Sequence, residues 1–260
     1  MRLLRAIGLT ALLTGLLGAP AASASTPVAT PTARSVPGIA AVGPIFRDGL
    51  TDEHSCTASV LVAPEHDLII TAAHCVSGSG AGLQFVPGYD RGAAPYGVWT
   101  TTAAYVDPSW ISAQDPQHDY AILRVAPQRR AGRIVELGQV VPESEYIAPA
   151  PRPGAILAVP GYPAGLDDQP IDCAVAAYYT AGFPSFDCAG YVGGTSGSPW
   201  LVQHGRVWLV AGVIGGLHQG GCVDYTSYSS AFGSDTYALW LRAATRQPPD
   251  VVPTADDDGC

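Results

Sequence analysis

The sequence has few charged residues, and basic residues are outnumbered by acidic ones. Charged residues make up 13% of its 260 residues, against the usual quarter. The formal net charge is −9, which argues against nucleic acid as a partner, because phosphate binding needs clustered cations. After the N-terminus no apolar run reaches the roughly 18 residues of a membrane span. The spacings CxxC and HExxH are also absent, so we expect no metal site.

The N-terminus has the three parts of a secretory signal. Arg2 and Arg5 supply positive charge, residues 7–17 form a short apolar run, and residues 22–24 offer the small side chains of a cleavage site. We therefore predict a signal peptide over residues 1–24. The apolar run is too short for a comfortable membrane anchor, and six cysteines suit an oxidising compartment. A secreted, extracellular protein, without membrane attachment after signal removal, is expected.

Abundant turn residues and short apolar runs predict an all-β protein. The chain contains 30 glycines and 23 prolines, and these punctuate runs of the length of single strands. The predicted strands cover residues 57–62, 67–71, 96–101, 120–125, 155–159, 173–180, 199–203 and 207–214, and a helix is predicted over 235–246.

The two ends of the chain differ in composition from the rest. Residues 25–38 are rich in Ser, Thr, Pro and Ala, which fits either a pro-segment or an ordinary disordered N-terminus. Residues 249–260 form an acidic tail that ends in cysteine, and its aspartates are expected to be solvated.

Three short motifs each contain a residue type used in nucleophilic catalysis. His74 lies in TAAHC after a predicted strand, Asp119 opens the apolar segment DYAIL, and Ser196 lies in the loop GGTSGSP. Taken singly, such a histidine or aspartate more often has a structural role. The glycines beside Ser196 allow a tight turn whose N–H groups can face a developing oxyanion.

Together the three residues have the composition of a catalytic triad. A serine hydroxyl becomes a useful nucleophile when a base takes its proton, and a carboxylate can orient a histidine for that task. The order His74, Asp119, Ser196 differs from the orders found in α/β-hydrolases and subtilisins. Ser198 also stands where the G-x-S-x-G motif has its second glycine.

TAAHC, HDYAIL and GTSGSP resemble the three catalytic boxes of the chymotrypsin-like (trypsin-like) serine peptidases, over roughly residues 40–245. The resemblance implies two six-stranded antiparallel β-barrels with the active site between them, followed by a short C-terminal helix. We expect the first barrel over residues 39–130, with the histidine and the aspartate, and the second over residues 131–248, with the serine.

The resemblance also implies a role for each site residue. Ser196 would be the nucleophile, His74 the general base and Asp119 the group that orients the histidine. The backbone N–H groups of Gly194 and Ser196 would form the oxyanion hole. No metal or organic cofactor is needed for this chemistry.

Two departures limit what carries over from the family. Thr195 stands where the digestive enzymes have an acidic residue that pairs with a freed N-terminus, so activation by that ion pair is not expected. The serine box is closest to the bacterial secreted V8/glutamyl-endopeptidase-like branch, which often has a histidine in the strand along the specificity pocket. Here the substrate-binding candidates are Ile214, Gly215 and Gly216, and glutamate specificity is not expected to transfer; His218 follows shortly after.

The resemblance further implies a disulfide between Cys56 and Cys75 beside the histidine. For the other four cysteines we prefer the pairs Cys173–Cys188 and Cys222–Cys260. The alternative joins Cys188 to Cys222 and leaves Cys173 and Cys260.

The function predicted from these motifs is a secreted, monomeric serine endopeptidase that acts on peptides or proteins through an acyl-enzyme intermediate. Two alternatives stay open: a catalytically silent binding module on the same fold, and a secreted esterase.

Overall fold

The structure is a computed structural model that describes residues 29–165 and 168–260. The predicted signal peptide and residues 25–28 of the candidate pro-segment lie outside this part.

The described residues form short strands and few helices. The strands are β1 (Arg34–Ser35), β2 (Val42–Phe46), β3 (Cys56–Leu61), β4 (Leu68–Thr71), β5 (Gln84–Phe85), β6 (Trp99–Val106), β7 (Ala121–Val125), β8 (Gln128–Arg130), β9 (Arg133–Val135), β10 (Tyr146–Ile147), β11 (Ile156–Ala158), β12 (Ile171–Asp172), β13 (Ala174–Ala176), β14 (Tyr178–Thr180), β15 (Phe183–Asp187), β16 (Pro199–His204), β17 (Val207–Val213) and β18 (Thr226–Tyr228). The α-helices are α1 (Pro108–Ala113), α2 (Leu137–Val140) and α3 (Ser234–Ala244), and 3-10 helices cover Ala73–Cys75, Pro116–His118 and Leu217–Gly220.

The first half of the chain contains a closed antiparallel barrel. Its strands follow the order β2-β3-β4-β7-β6-β5. Strands β2, β3 and β4 are buried along their whole length, because one face of each looks into the barrel and the other is covered by neighbouring segments. Closure leaves this sheet without a free edge. The barrel therefore gives the loops at its ends a rigid base.

The register of the barrel brings two of the candidate residues to the same end. Strands β4 and β7 are paired with Thr71 opposite Ala121. His74 follows the end of β4 in the 3-10 helix Ala73–Cys75, and Asp119 immediately precedes β7. Antiparallel neighbours enter and leave a sheet at the same edge, so the two side chains start close together.

The second half forms two main sheets around a shared core, besides the two-stranded pairs β1-β12 and β8-β9. Strands β10-β17-β16-β11-β13 make a five-stranded sheet in which β10 and β17 are parallel, and β14-β15-β18 make a three-stranded sheet. The predicted strand 173–180 divides at Ala177, because its first part pairs with β11 and its second part with β15. One buried cluster joins both sheets. The hydrogen bonds thus describe one closed barrel followed by an open, two-sheet second half.

Both ends of the described chain are held in place. Arg34 and Ser35 pair with β12 in the second half. In the tail, Val252 is only 2% exposed and pairs with Gly78 of the first half, while the aspartates after it are exposed, as expected. In the described part of the chain, none of the helices is long and apolar enough to cross a membrane.

Candidate active site

His74 and Asp119 form a doubly hydrogen-bonded pair. His74 Nδ1 lies 2.8 Å from Asp119 Oδ2, and the His74 backbone N–H donates to Oδ1 at 2.9 Å. A carboxylate oxygen can only accept, so Nδ1 carries the hydrogen. The tautomer with a hydrogen on Nδ1 leaves Nε2 as an acceptor. The pair can therefore offer a base toward the cleft.

Asp119 is completely buried, yet its carboxylate is well satisfied. Besides the two bonds from His74, Oδ2 accepts from the Gly216 N–H at 2.9 Å. The Asp119 N–H donates to Ser230 Oγ at 2.9 Å, and Ser230 in turn donates to the Pro116 carbonyl. A buried charge is costly without such partners. Donors from both halves of the molecule thus keep this carboxylate in one orientation.

The loop of Ser196 is bound to both halves through its backbone. The Thr57 N–H donates to the Ser196 carbonyl at 2.7 Å, and the Gly197 N–H donates to the Ile214 carbonyl at 2.7 Å. Gly197 has φ of +82°, and a Cβ there would collide with Thr57 O and Thr71 Oγ1. Glycine is therefore required immediately after the serine.

The peptide groups beside Ser196 have a defined direction. The Gly193 carbonyl accepts from the Ala164 N–H at 2.6 Å, and in a trans peptide the following N–H, that of Gly194, points the opposite way. Thr57 Oγ1 donates to the Gly194 carbonyl at 3.0 Å. Within residues 29–165 and 168–260, no hydrogen-bond partner occupies the N–H of Gly194 or Ser196. Both are available as donors.

His74 and Ser196 line the same cleft, whose volume is about 440 Å³. The His74 side chain is 9% exposed, and Ser196 is partly exposed. No hydrogen bond joins Ser196 Oγ to another described residue. Gly194 lines the cleft as well, so His74, Gly194 and Ser196 border one space.

The structure separates the three predicted substrate-binding residues. Ile214 lines the cleft, and Gly215 and Gly216 are not among its lining residues. The Gly215 N–H donates to the Tyr228 carbonyl, and the Gly216 N–H is bound to Asp119. His218, which lies a few residues beyond the predicted stretch, does line the cleft.

Three contributors were missed by sequence reasoning. Ser230 supports Asp119, Thr57 supports the serine loop, and Asp258 lines the cleft from the C-terminal tail. Ser230 and Thr57 lie in ordinary Ser/Thr-rich strand-like segments, which contain no signal for such a role. For Asp258 the only available signal was the terminal Cys260, whose disulfide fixes the tail in space.

The disulfides follow the preferred set of pairs. Cys56 is joined to Cys75, Cys173 to Cys188, and Cys222 to Cys260. The first bond ties β3 to the 3-10 helix of His74, and the second connects the two sheets of the second half.

Two groups of histidine and cysteine atoms lie close enough to share a metal ion. One contains Cys56, His74 and Cys75, and the other contains His218, Cys222 and Cys260. All these cysteines are in disulfides, and a metal would need their thiolate form. Neither group therefore offers a complete set of ligands while the disulfides are intact.

Comparison with known proteins gives a family match. A family model described as a trypsin-like peptidase domain matches residues 56–211, a range that includes His74, Asp119 and Ser196. No curated protein sequence matches the chain significantly.

Solved structures give a consistent picture. The chain is similar to the protease Anisep from Arthrobacter nicotinovorans, with 26% identity and a TM-score of 0.69 over 82% of this chain and 100% of that one. It is also similar to a thermostable serine protease, AL20, from an extremophilic microorganism (23%, TM-score 0.66, 79% and 97% covered). A Glu endopeptidase has the same fold at 18% identity (TM-score 0.61, 84% and 98% covered).

Proposed function

The chain belongs to the trypsin-like peptidase domain family and is a serine-type hydrolase, and from this premise we propose a secreted endopeptidase with Ser196, His74 and Asp119 as its catalytic triad. One observation carries the assignment: the two hydrogen bonds between buried Asp119 and His74, at the edge of the cleft that Ser196 also lines. Among the branches of the family, we place the chain with the bacterial secreted, V8-like enzymes, because of its serine box.

In the proposed acylation step, Ser196 Oγ attacks the carbonyl carbon of the scissile peptide bond. His74 Nε2 takes the hydroxyl proton as the C–O bond forms, and the carbonyl electrons move onto oxygen. Collapse of the tetrahedral intermediate breaks the C–N bond, and His74 returns the proton to the leaving amine. An ester between Ser196 and the acyl part of the substrate remains.

Asp119 and the serine loop would lower the barriers of this step. The carboxylate stabilises the histidine cation and keeps its ring in the productive tautomer. The N–H groups of Gly194 and Ser196 would donate to the oxyanion as its charge develops. Water then attacks the ester with His74 again acting as base, and the second product leaves. These acylation and deacylation steps need no cofactor.

We also propose how the rest of the chain serves this activity. Residues 1–24 would direct export, and the three disulfides fit an oxidising, extracellular setting. The two barrel domains of the family would correspond to residues 39–130 and 131–248. In the second of these, packing around a shared core would hold the sheets together in place of a continuous hydrogen-bond ladder. The substrates would be peptides or proteins. The protein would act as a monomer.

A fluorophosphonate probe tests the assignment of the nucleophile. We expect it to label the mature protein at Ser196 and not to label Ser196→Ala. Ser198→Ala is the matched control, because that hydroxyl lies two residues away, is fully buried and has no hydrogen-bond partner among the described residues. Labelling of Ser196→Ala would refute the proposed nucleophile.

Cleavage profiling on a mixed library of peptides and esters separates the remaining functions. Peptide hydrolysis that disappears in Ser196→Ala supports the endopeptidase. Hydrolysis of esters without any peptide cleavage would favour an esterase. Absence of both labelling and turnover in the folded protein would favour a binding module.

A further inference from the structure

The C-terminal tail is attached to the first half of the molecule at several points. Val252 pairs with Gly78 through two backbone hydrogen bonds of 2.7 and 2.8 Å, and its side chain is part of the buried core of the barrel. Gln114 then holds the next residues, since its Nε2 donates to the Thr254 carbonyl at 3.1 Å and its Oε1 accepts from the Asp256 N–H at 2.7 Å. Up to Asp256, the tail is therefore held to the first half by packing and by hydrogen bonds.

The same tail then crosses to the second half beside the cleft. Gln219 Nε2 donates to the Asp256 carbonyl at 2.7 Å, and His218 Nδ1 donates to the Asp258 carbonyl at 3.0 Å. The disulfide Cys222–Cys260 anchors the last residue. The chain from 250 to 260 therefore bridges the barrel and the segment 217–222, which also lines the cleft.

The charged groups that line the cleft are arranged by sign. Arg47 lies on the side of the first half, where its guanidinium donates to the Cys75 carbonyl at 2.7 Å. Asp224 and Asp258 lie on the side of the second half. Asp258 Oδ1 accepts from the Cys260 N–H at 2.9 Å, and its other oxygen, Oδ2, has no partner among the described residues. The side of the cleft that contains Asp224 and Asp258 is therefore negative.

We propose that the end of the tail contributes to one wall of the substrate cleft through Asp258, and that Asp258 selects peptides with an arginine or lysine side chain facing this wall. The proposal rests on the proposed peptidase function and adds the chemistry of its substrate. A cationic side chain would pair with the exposed carboxylate, whereas an acidic side chain at the same place would be repelled. The disulfide Cys222–Cys260 keeps the carboxylate at the cleft.

The expected effect is modest, because Asp258 is solvent-exposed. Exposed ion pairs contribute about 0.2–1 kcal/mol, which corresponds to a preference of roughly 1.4- to fivefold for arginine over a neutral residue of the same shape. Salt should weaken the preference, since exposed charges are screened.

The test compares Asp258→Asn with Asp257→Asn. Both aspartates are exposed and both accept a hydrogen bond of 2.9 Å from the N–H two residues later, but only Asp258 lines the cleft. Peptide pairs that differ by arginine against its neutral isostere citrulline, at each position around the cleaved bond, are assayed for kcat/KM. We expect Asp258→Asn to lose this arginine preference and Asp257→Asn to keep it, with the cleavage of citrulline peptides unaffected in both variants.

A binding measurement keeps this result separate from the proposed catalysis. The same peptide pairs are titrated, with a fluorescent label, into Ser196→Ala with and without Asp258→Asn. If the parent cleaves no peptide, the proposed function fails while the binding ratio still decides the present proposal. An arginine preference that is the same with and without the Asp258→Asn substitution, in both assays, would overturn it.

Release of the tail provides a second variant. Cys222→Ser with Cys260→Ser should reduce the arginine preference as much as Asp258→Asn does, because the carboxylate is no longer held at the cleft. An unchanged preference in this double variant would show that the tail is not the selecting wall.

Discussion

The two halves of the molecule support the candidate site in different ways. The first half is a closed barrel, and paired strands β4 and β7 place His74 and Asp119 side by side at one end. The second half consists of two sheets without a continuous ladder, and Ser196 lies on a loop. A closed hydrogen-bonded ladder can hold a base and its partner by register alone, whereas a loop needs separate anchors.

The anchors of the Ser196 loop come from both halves, from Ile214 and Ala164 in the second half and from Thr57 in the first. Thr57 of β3 contacts the loop through two hydrogen bonds, since its N–H donates to Ser196 O and its Oγ1 donates to Gly194 O; the same Oγ1 also accepts from the Tyr162 N–H. Conversely, Gly216 and Ser230 of the second half hold Asp119. Each half thus fixes catalytic candidates of the other, so the site forms only when both are docked.

The largest expected effect is the loss of kcat when the His74–Asp119 pair of the first half is changed. Asp119→Asn should lower kcat by about 10⁴-fold, because an amide N–H₂ must face one of the donors on His74 or Gly216 and favours the wrong histidine tautomer. Steady-state peptide hydrolysis measures it, with a thermal melt to verify folding. Asp115→Asn is the control, since Asp115 only caps a 3-10 helix and pairs with His118. A loss below tenfold in Asp119→Asn would contradict the assigned role.

A substitution at the junction tests how closely the halves fit. Gly197→Ala should destabilise the protein by about 2–4 kcal/mol, from a left-handed φ and from the collision with Thr57 and Thr71. Urea unfolding measures the loss. Gly193→Ala is the matched control, because a Cβ there meets nothing within 4 Å; equal losses for both variants would show that junction packing is not the cause.

Disulfide removal compares the halves directly. The pairs Cys173–Cys188 and Cys56–Cys75 close loops of similar length, with separations of 15 and 19 residues. Replacement of either pair by serines should therefore cost about 3 kcal/mol. We expect kcat/KM to fall clearly only without Cys56–Cys75, which adjoins His74. Equal activity in both double variants would contradict a positioning role for that bond.

The smallest effect concerns a buried carboxyl between the halves. Burial, reinforced by the Glu143 carboxylate, raises the pKa of Glu145 to about 8. Between its ordinary pKa of 4.5 and about 8, the unfolded chain releases this proton and the folded protein keeps it, so Glu145 lowers stability progressively as pH rises.

Glu145→Gln should remove this pH dependence. The variant should be about 1–3 kcal/mol less stable than the parent near pH 4, because its newly buried amide has the same cost at every pH, and should become about 1–2 kcal/mol more stable than the parent at pH 8. Unfolding curves at pH 4, 6 and 8 measure the difference. Glu53→Gln is the control, because Glu53 is exposed and distant from the Glu145 carboxyl in sequence; a Glu145→Gln effect that does not grow with pH would refute the raised pKa.

The all-β class, the family resemblance and the three candidate catalytic residues could all be predicted from the sequence alone. Strand-length apolar runs predicted β3, β4, β7, β16 and β17 to within a few residues, because burial of alternating or continuous apolar residues is a local property of the chain. The boxes around His74, Asp119 and Ser196 are equally local.

The distant groups that complete the site could be identified only from the folded protein. The bonds from Gly216 and Ser230 to Asp119, from Thr57 to the serine loop, and the position of Asp258 at the cleft all join residues about 100 or more apart in sequence or on opposite halves. Such contacts depend on how the halves dock and on where a disulfide ends the tail. No spacing rule along the chain encodes them, because docking is set by the shape and burial of whole surfaces.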